Sequence, residues 1–407
     1  MILTRLMLLC GLISIAAYQS SAQANLLFDA TFNDCDAFDG VGAIMGNAFG
    51  NPDCVCGADG TGYFFDGADD SLSYDTGIEE ILNRDFALSF YFFVQNDPNS
   101  TQAIDLISYS SQCRRDSSLT IRYIPQSQEI RAEMAINNPI RFTTRGVVPS
   151  TSCIHHLVFN KNDDRLQLYI DDILIDELLE FDGSFQVKPN AKFTVGTSPC
   201  VGANSQLFRG IIDEIKFFDR PLLESEVIAL NANPDRITTP DQTIFTGESV
   251  SITTGQLCSN FFNWSPTEDL TDELTASPTA SPETTTTYRL TVDYGTCISQ
   301  DSVRISVVDR QNSSCSDLLL PSAFTPNNDK RNDVFGISNS FIIDQLISFD
   351  IYSKWGEHLF SAENDVNQGW DGQYKGEQMN PGTLLYTVIY VCGGQEYKKS
   401  GSFVLLR

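Results

Sequence analysis

The chain has 407 residues, of which 42% are hydrophobic, and a formal net charge of −27. This is enough length and apolar content for several packed cores. The acidic balance excludes a nucleic-acid partner, which needs clustered Lys and Arg against phosphate, and it opposes adsorption to anionic lipid.

Residues 1–24 read as a secretory signal peptide. Arg5 supplies the positive start, residues 6–17 the apolar stretch, and Ala22-Gln23-Ala24 the small-residue site, with cleavage after Ala24. Cys10 lies inside the apolar stretch behind the bulky Leu8 and Leu9, so a lipoprotein reading is set aside. No other stretch is long and apolar enough to form a transmembrane segment.

Ten cysteines follow. Six precede residue 201 (Cys35, Cys54, Cys56, Cys113, Cys153, Cys200), two lie mid-chain (Cys258, Cys297), and two flank the C-terminal block (Cys315, Cys392). Every block holds an even number, as expected for disulfides made within domains in an oxidising compartment. That arithmetic pairs Cys258 with Cys297 and Cys315 with Cys392, and leaves the first six open among fifteen connectivities. Zinc is the rival reading for Cys54-Val55-Cys56, but one intervening residue is the wrong spacing and no His is near.

Residues 25–232 alternate with the period of strands. Phe86, Leu88, Phe90, Phe92 and Val94 interleave with Ala87, Ser89, Tyr91 and Phe93. Leu119, Ile121, Tyr123 and Ile130, Ala132, Met134 repeat the pattern, and Asp171-Asp172 separates two apolar runs as a hairpin turn does. These strands fit one large sandwich. Four ordered motifs then carry a resemblance to the laminin-G-like, concanavalin-type jelly roll. They are Phe65-Asp66-Gly67-Ala68-Asp69-Asp70, Asp85-Phe86-Ala87-Leu88-Ser89-Phe90, His155-His156-Leu157-Val158-Phe159 with the hairpin after it, and the run from Phe208 through Asp213 to Leu222. The chain departs from that pattern at Asp172, where a hairpin Gly is usual, and at Cys153, where Trp is often seen.

Alternation puts Ile211, Asp213, Ile215 and Phe217 on one strand face. A carboxylate among such neighbours must be bonded to backbone, paired with a cation or bound to a metal. The resemblance implies a structural calcium ion, joining Asp213 to Asp29 or Asp34 through oxygen ligands. The same resemblance implies ligand contacts at one loop edge or on the concave face. The candidate residues are Tyr63, Asp69 and Asp70, with further loops at 112–116 and 201–206.

Catalysis is not expected from this sequence. It holds three histidines and no metalloprotease or nucleophile-elbow motif. The Glu-x-Asp-x-Glu strand common in glycosidases on this fold is missing, and Asp176, Glu177 and Glu180 have the wrong spacing for a carboxylate pair. His155 and His156 open a strand and read as packed or cross-strand residues.

Residues 233–311 form a spacer domain. Its strand candidates, Trp264 and the Cys258, Cys297 pair resemble an immunoglobulin-like or PKD-type sandwich. Residues 312–407 contain Leu320-Pro321-Ser322-Ala323-Phe324-Thr325-Pro326-Asn327-Asn328-Asp329, then Ile351-Tyr352-Ser353-Lys354-Trp355-Gly356-Glu357 and Gly369-Trp370-Asp371-Gly372. This closely resembles the gliding-motility-associated C-terminal domain, the type B sorting domain of type IX secretion. Lys330 stands where that family usually has Gly.

The expectation is an all-β, multidomain chain, secreted or held at the cell surface after type IX export. A concanavalin-like jelly-roll sandwich leads, an Ig-like sandwich follows, and a small C-terminal β-sandwich closes it. Expected partners are the secretion machinery and an extracellular glycan or surface protein. The alternatives are a protein-binding adhesin or matrix component and, second, a glycan hydrolase.

Overall fold

The protein is described by a computed structural model covering residues 25–75, 82–113, 117–137, 140–150, 152–179, 190–202, 205–259, 261–295, 297–309, 314–326 and 332–406. The expected signal peptide with its Ala24 site, the turn at 327–330, Glu180, and parts of the 112–116 and 201–206 loops lie outside the described residues. The fold is all-β, and a short α-helix spans Glu224–Leu230. The chain divides into two compact units. The first comprises Met1–Gln242, Val250–Ser281 and Thr287–Arg304, and the second Thr243–Ser249, Pro282–Thr286 and Ile305–Arg407.

Two sheets dominate the first unit. One runs in the order Ile173–Leu178, Arg165–Ile170, His155–Asn162, Phe86–Val94, Arg209–Phe218, Thr61–Asp66, Asp53–Cys56, with Leu26–Ala30 also pairing Arg209–Phe218. The other runs Ile140–Val147, Glu129–Asn137, Ser118–Ile124, Ile104–Ser110, Lys192–Val195, Ser71–Tyr74, Asn47–Phe49. Phe90, Phe92, Phe159 and Phe217 from the first meet Ile121, Met134, Phe193 and Val195 from the second in one core. Burying each such side chain contributes about 2 kcal/mol.

The central strand Phe86–Val94 is buried on both faces. Its even-numbered side chains enter that core, while Ala87 packs beneath the helix with Leu222 and Val227. Tyr91 and Phe93 enter another cluster, with Ala58, Cys153, Ile154 and Ile211, against which Tyr294 and Cys297 pack. Two-sided cover explains why Phe86-Ala87-Leu88-Ser89-Phe90-Tyr91-Phe92-Phe93 carries so little polarity.

Arg209–Phe218 corrects the expected face assignment. Its pairing with Phe86–Val94 shifts register between Asp213 and Lys216, and Glu214 sits at φ 52° in the left-handed region. This bulge reverses the alternation. Ile212, Ile215 and Phe217 face the main core, while Ile211 joins the opposite cluster. Asp213 therefore does not share a face with Ile215 and Phe217.

The disulfides correct a second expectation. Cys258 pairs with Cys56, and Cys297 with Cys153, in place of the expected Cys258–Cys297 bond. Cys35 pairs with Cys54, and Cys113 with Cys200. The chain after residue 233 thus returns twice to the jelly-roll strands. Gln256 reinforces one return: its Nε2 donates to the carbonyls of Gly57 and Gly60 at 3.0 and 2.8 Å, and its Oε1 accepts from the Gly60 N–H. Tyr294 packs on Phe93 at 5.6 Å and donates to buried Asp235 at 2.7 Å. Within this returning segment Phe262–Ser265 pairs Thr286–Asp293, and Trp264 is buried with its Nε1 donating to the Thr275 carbonyl.

The second unit holds a five-stranded sheet in the order Ala323–Phe324, Gln395–Leu405, Gly382–Cys392, Gln345–Ser353, His358–Ala362. Its core stacks Phe335 on Phe403 and sets Trp370 edge-on to Phe403. Cys315 and Cys392 form a disulfide.

Candidate functional site

At one end of the sandwich lies a cavity of about 380 Å³. Its lining combines Phe92, Phe93 and Tyr123 with the polar Gln95, Gln128, Ser150 and His155, and the Cys153–Cys297 disulfide forms part of it. The aromatic side chains come from strands buried on both sides. The polar ones come from the strand ends and loops, where the backbone turns away from the core.

His155 is the best-positioned group. Strand pairing sets it opposite Phe92, and its Nδ1 lies 2.8 Å from Asp171 Oδ2. Asp171 and Asp172 form the hairpin turn with φ values of 49° and 62°, the left-handed pair that a tight two-residue hairpin requires. This geometry returns the Asp171 carboxylate to the start of the neighbouring strand, where its Oδ1 also accepts the His156 N–H at 2.9 Å. Although burial opposes ionisation, the His155 bond and charge and the His156 N–H together hold the Asp171 carboxyl below its ordinary value. An ionised acceptor makes Nδ1 the donor of this hydrogen bond, so Nε2 is the ring nitrogen left to face the cavity. Nε2 has no hydrogen-bond partner among the described residues, and neither do the side chains of Gln95 and Gln128. The buried His155 thus lies in one concavity with the half-buried Gln95, the exposed Gln128 and neighbouring aromatic residues. That is the composition of a small-molecule site.

His156 is structural. It is fully buried, stacks on Tyr91 at 4.5 Å and shares a 2.8 Å hydrogen bond with Ser89 Oγ. Burial pushes its pKa down to about 3, so it stays neutral.

The sequence-predicted residues fall elsewhere. Tyr63 is a core residue: its ring packs 4.9 Å from Phe32 and its hydroxyl donates to the Cys35 carbonyl. It is corrected from a ligand contact to a packing residue. Asp69 is exposed, while Asp70 is buried and accepts the Asp66 N–H at 2.8 Å. Asp66, Asp69 and Asp70 bring carboxylate oxygens within 4.8 Å of one another.

The expected grouping of Asp213 with Asp29 or Asp34 is not formed. Asp213 Oδ2 accepts the N–H groups of Ala58 and Asp59 at 2.8 and 3.3 Å, and Oδ1 that of Glu214 at 2.8 Å. Asp29 instead pairs with Lys216 at 3.3 Å, and Asp34 is exposed. The bulge at Glu214 is the cause, since it turns Asp213 towards the 57–60 loop. Burial pushes the Asp213 carboxyl up from 3.8 to about 7, and the Glu214 charge adds to the push.

Sequence reasoning did not single out His155 and did not find the cavity it lines. The Asp171-Asp172 turn was the available signal: a carboxylate where Gly would serve the backbone better.

Residues 318–405 match the type IX secretion signal domain family. The chain is exported to the cell surface or the medium, and the type IX machinery is its partner in that step. Residues 65–228 match the concanavalin A-like lectin/glucanases superfamily. No curated protein matches the chain.

Solved structures are similar to parts of the chain. Domain 4 of an extracellular arabinanase from Geobacillus stearothermophilus, in complex with arabinotriose, is 17% identical at a TM-score of 0.40, over 51% of this chain and 98% of that one. A Trypanosoma rangeli sialidase is 16% identical at 0.40, over 51% of this chain and 33% of its own. A Ruminococcus gnavus sialidase module of the CBM40 type is 12% identical at 0.34, over 42% and 96%. The match of residues 65–228 to a superfamily that takes in glucanases as well as lectins corrects the expectation of a chain without catalysis. At these identities and scores the similar structures transfer no reaction to this chain.

Proposed function

We propose that the first unit is an extracellular carbohydrate-binding head whose ligand occupies the cavity beside His155. The carrying observation is the set of unengaged polar groups, His155 Nε2, Gln95 and Gln128, against Phe92, Phe93 and Tyr123. Sugars present hydroxyl edges and C–H faces together, and this wall offers acceptors and donors beside aromatic surface. The superfamily match over 65–228 and the export signal support the reading, since they put a lectin-type fold where glycans are the abundant ligands.

The test is to incubate the exported full chain with a glycan array and a polysaccharide panel, reading retention and reducing-end release in the same samples. Retention on at least one polysaccharide is expected, with a fall of about ten-fold in affinity for the Gln95→Ala/Gln128→Ala double variant. No retention on any glycan, together with capture of a surface protein, would replace this reading with the protein-binding one.

A further inference from the structure

The second unit contains two tryptophans with opposite fates. Trp370 is 2% exposed, sits in the core and donates its Nε1 to the Gln373 carbonyl at 2.7 Å. Trp355 is 85% exposed, at the tip of the hairpin between Gln345–Ser353 and His358–Ala362. Among the described residues of that unit it is the only aromatic side chain so displayed, and its indole nitrogen has no hydrogen-bond partner there.

The tip is built to hold that display. Ser353 accepts the Gly356 N–H on its carbonyl at 2.9 Å and donates its own N–H to the Glu357 carbonyl at 2.8 Å. Its Oγ accepts the N–H groups of Trp355 and Glu357 at 3.3 and 3.1 Å. Gly356 takes φ +85°, a value glycine adopts without strain. Lys354 Nζ sits 5.1 Å from the centre of the indole ring, a cation–π contact. On the adjoining strands Tyr352 packs against His358 at 5.0 Å, and His358 Nε2 lies 2.8 Å from Asp350 Oδ1. Leu385, 42% exposed, stands opposite Tyr352.

A large apolar side chain on a pre-ordered turn loses little entropy when a partner covers it, and tryptophan is the residue most enriched among binding hot spots. The unit carrying it matches a secretion signal, so a protein that reads this unit must exist. We propose that the Trp355 hairpin, with Lys354, Tyr352 and Leu385, is the surface by which the type IX secretion machinery engages this chain. The partner supplies an aromatic-accepting pocket with an acidic rim for Lys354. This inference rests on the 318–405 match and is independent of the glycan reading, which concerns the first unit.

The experiment places the full chain, as wild type, Trp355→Ala, Trp355→Phe and Trp355→Gln, in a bacterium with a working type IX system. It reads the exported and retained fractions, together with the melting temperature of each purified protein. The alanine and glutamine variants are expected to keep the wild-type melting temperature and lose about ten-fold in exported fraction, with phenylalanine between them. Normal export of the alanine variant overturns the proposal. Normal export with weakened polysaccharide retention also overturns it and makes Trp355 a sugar contact. A lowered melting temperature in both the alanine and the glutamine variants overturns it too, because Trp355 would then be a folding residue.

Discussion

Substituting Asp213 with Asn tests how the buried end of the bulged strand is held. Asp213 has no solvent exposure, and burial raises its pKa from 3.8 to about 7. A raised folded value means that the contribution to stability is complete below the unfolded pKa and is lost as pH climbs through the folded one. Wild type should therefore lose about 1.4 kcal/mol per pH unit relative to Asp213→Asn between the two values, roughly 4 kcal/mol in all. His156 opposes this in the parent protein. Its lowered pKa removes stability as pH falls from 6.5 towards about 3, so the raw profile of either protein mixes both effects. The difference between wild type and variant cancels His156. The assay is denaturant unfolding of the first unit's transition at half-unit steps from pH 4 to 8. A difference that stays flat across this range would refute the reasoning, and would mean that the three backbone N–H groups hold Asp213 ionised throughout.

Three further outcomes are expected. Tyr63→Phe should cost about 1 kcal/mol for the lost hydrogen bond and leave glycan affinity unchanged, as calorimetry and an array would show; weakened binding would restore Tyr63 as a contact. Cys153→Ser/Cys297→Ser, which removes a cross-link spanning 144 residues, should lower the first unit's stability by up to about 4 kcal/mol and weaken binding in the cavity it lines. Peptide mapping that found Cys258 bonded to Cys297 would refute that pairing. Chelation of divalent cations should leave the Asp213 environment and the melting temperature unchanged. A fall restored by calcium and abolished by Asp69→Asn would place a cation at the Asp66, Asp69, Asp70 cluster instead.

Much of the fold is written locally. Alternating apolar residues at Phe86–Val94 and Ser118–Ile124 give strands because each side chain has one of two faces to occupy. The ordered motifs around Trp355 and Trp370 mark the C-terminal unit, where turn residues alternate with apolar side chains such as Ile351 and Trp370 that enter one core. Cysteine parity, by contrast, gave a pairing that the fold does not use. Counting assumes that sequence blocks close on themselves, whereas Tyr91 and Phe93 leave an apolar outer face that the later segment covers, bringing Cys258 to Cys56 and Cys297 to Cys153.

The site depended on the same long-range geometry. His155 is legible as a strand residue, but its carboxylate partner arrives through a hairpin and its cavity closes only when the 297 region returns. Asp213 was read onto the wrong face because a single residue with positive φ, Glu214, inverts a two-residue period. Local pattern fixes which residues want burial. Only packing across distant segments decides which neighbour buries them, and that choice sets which polar groups are left lining a cavity.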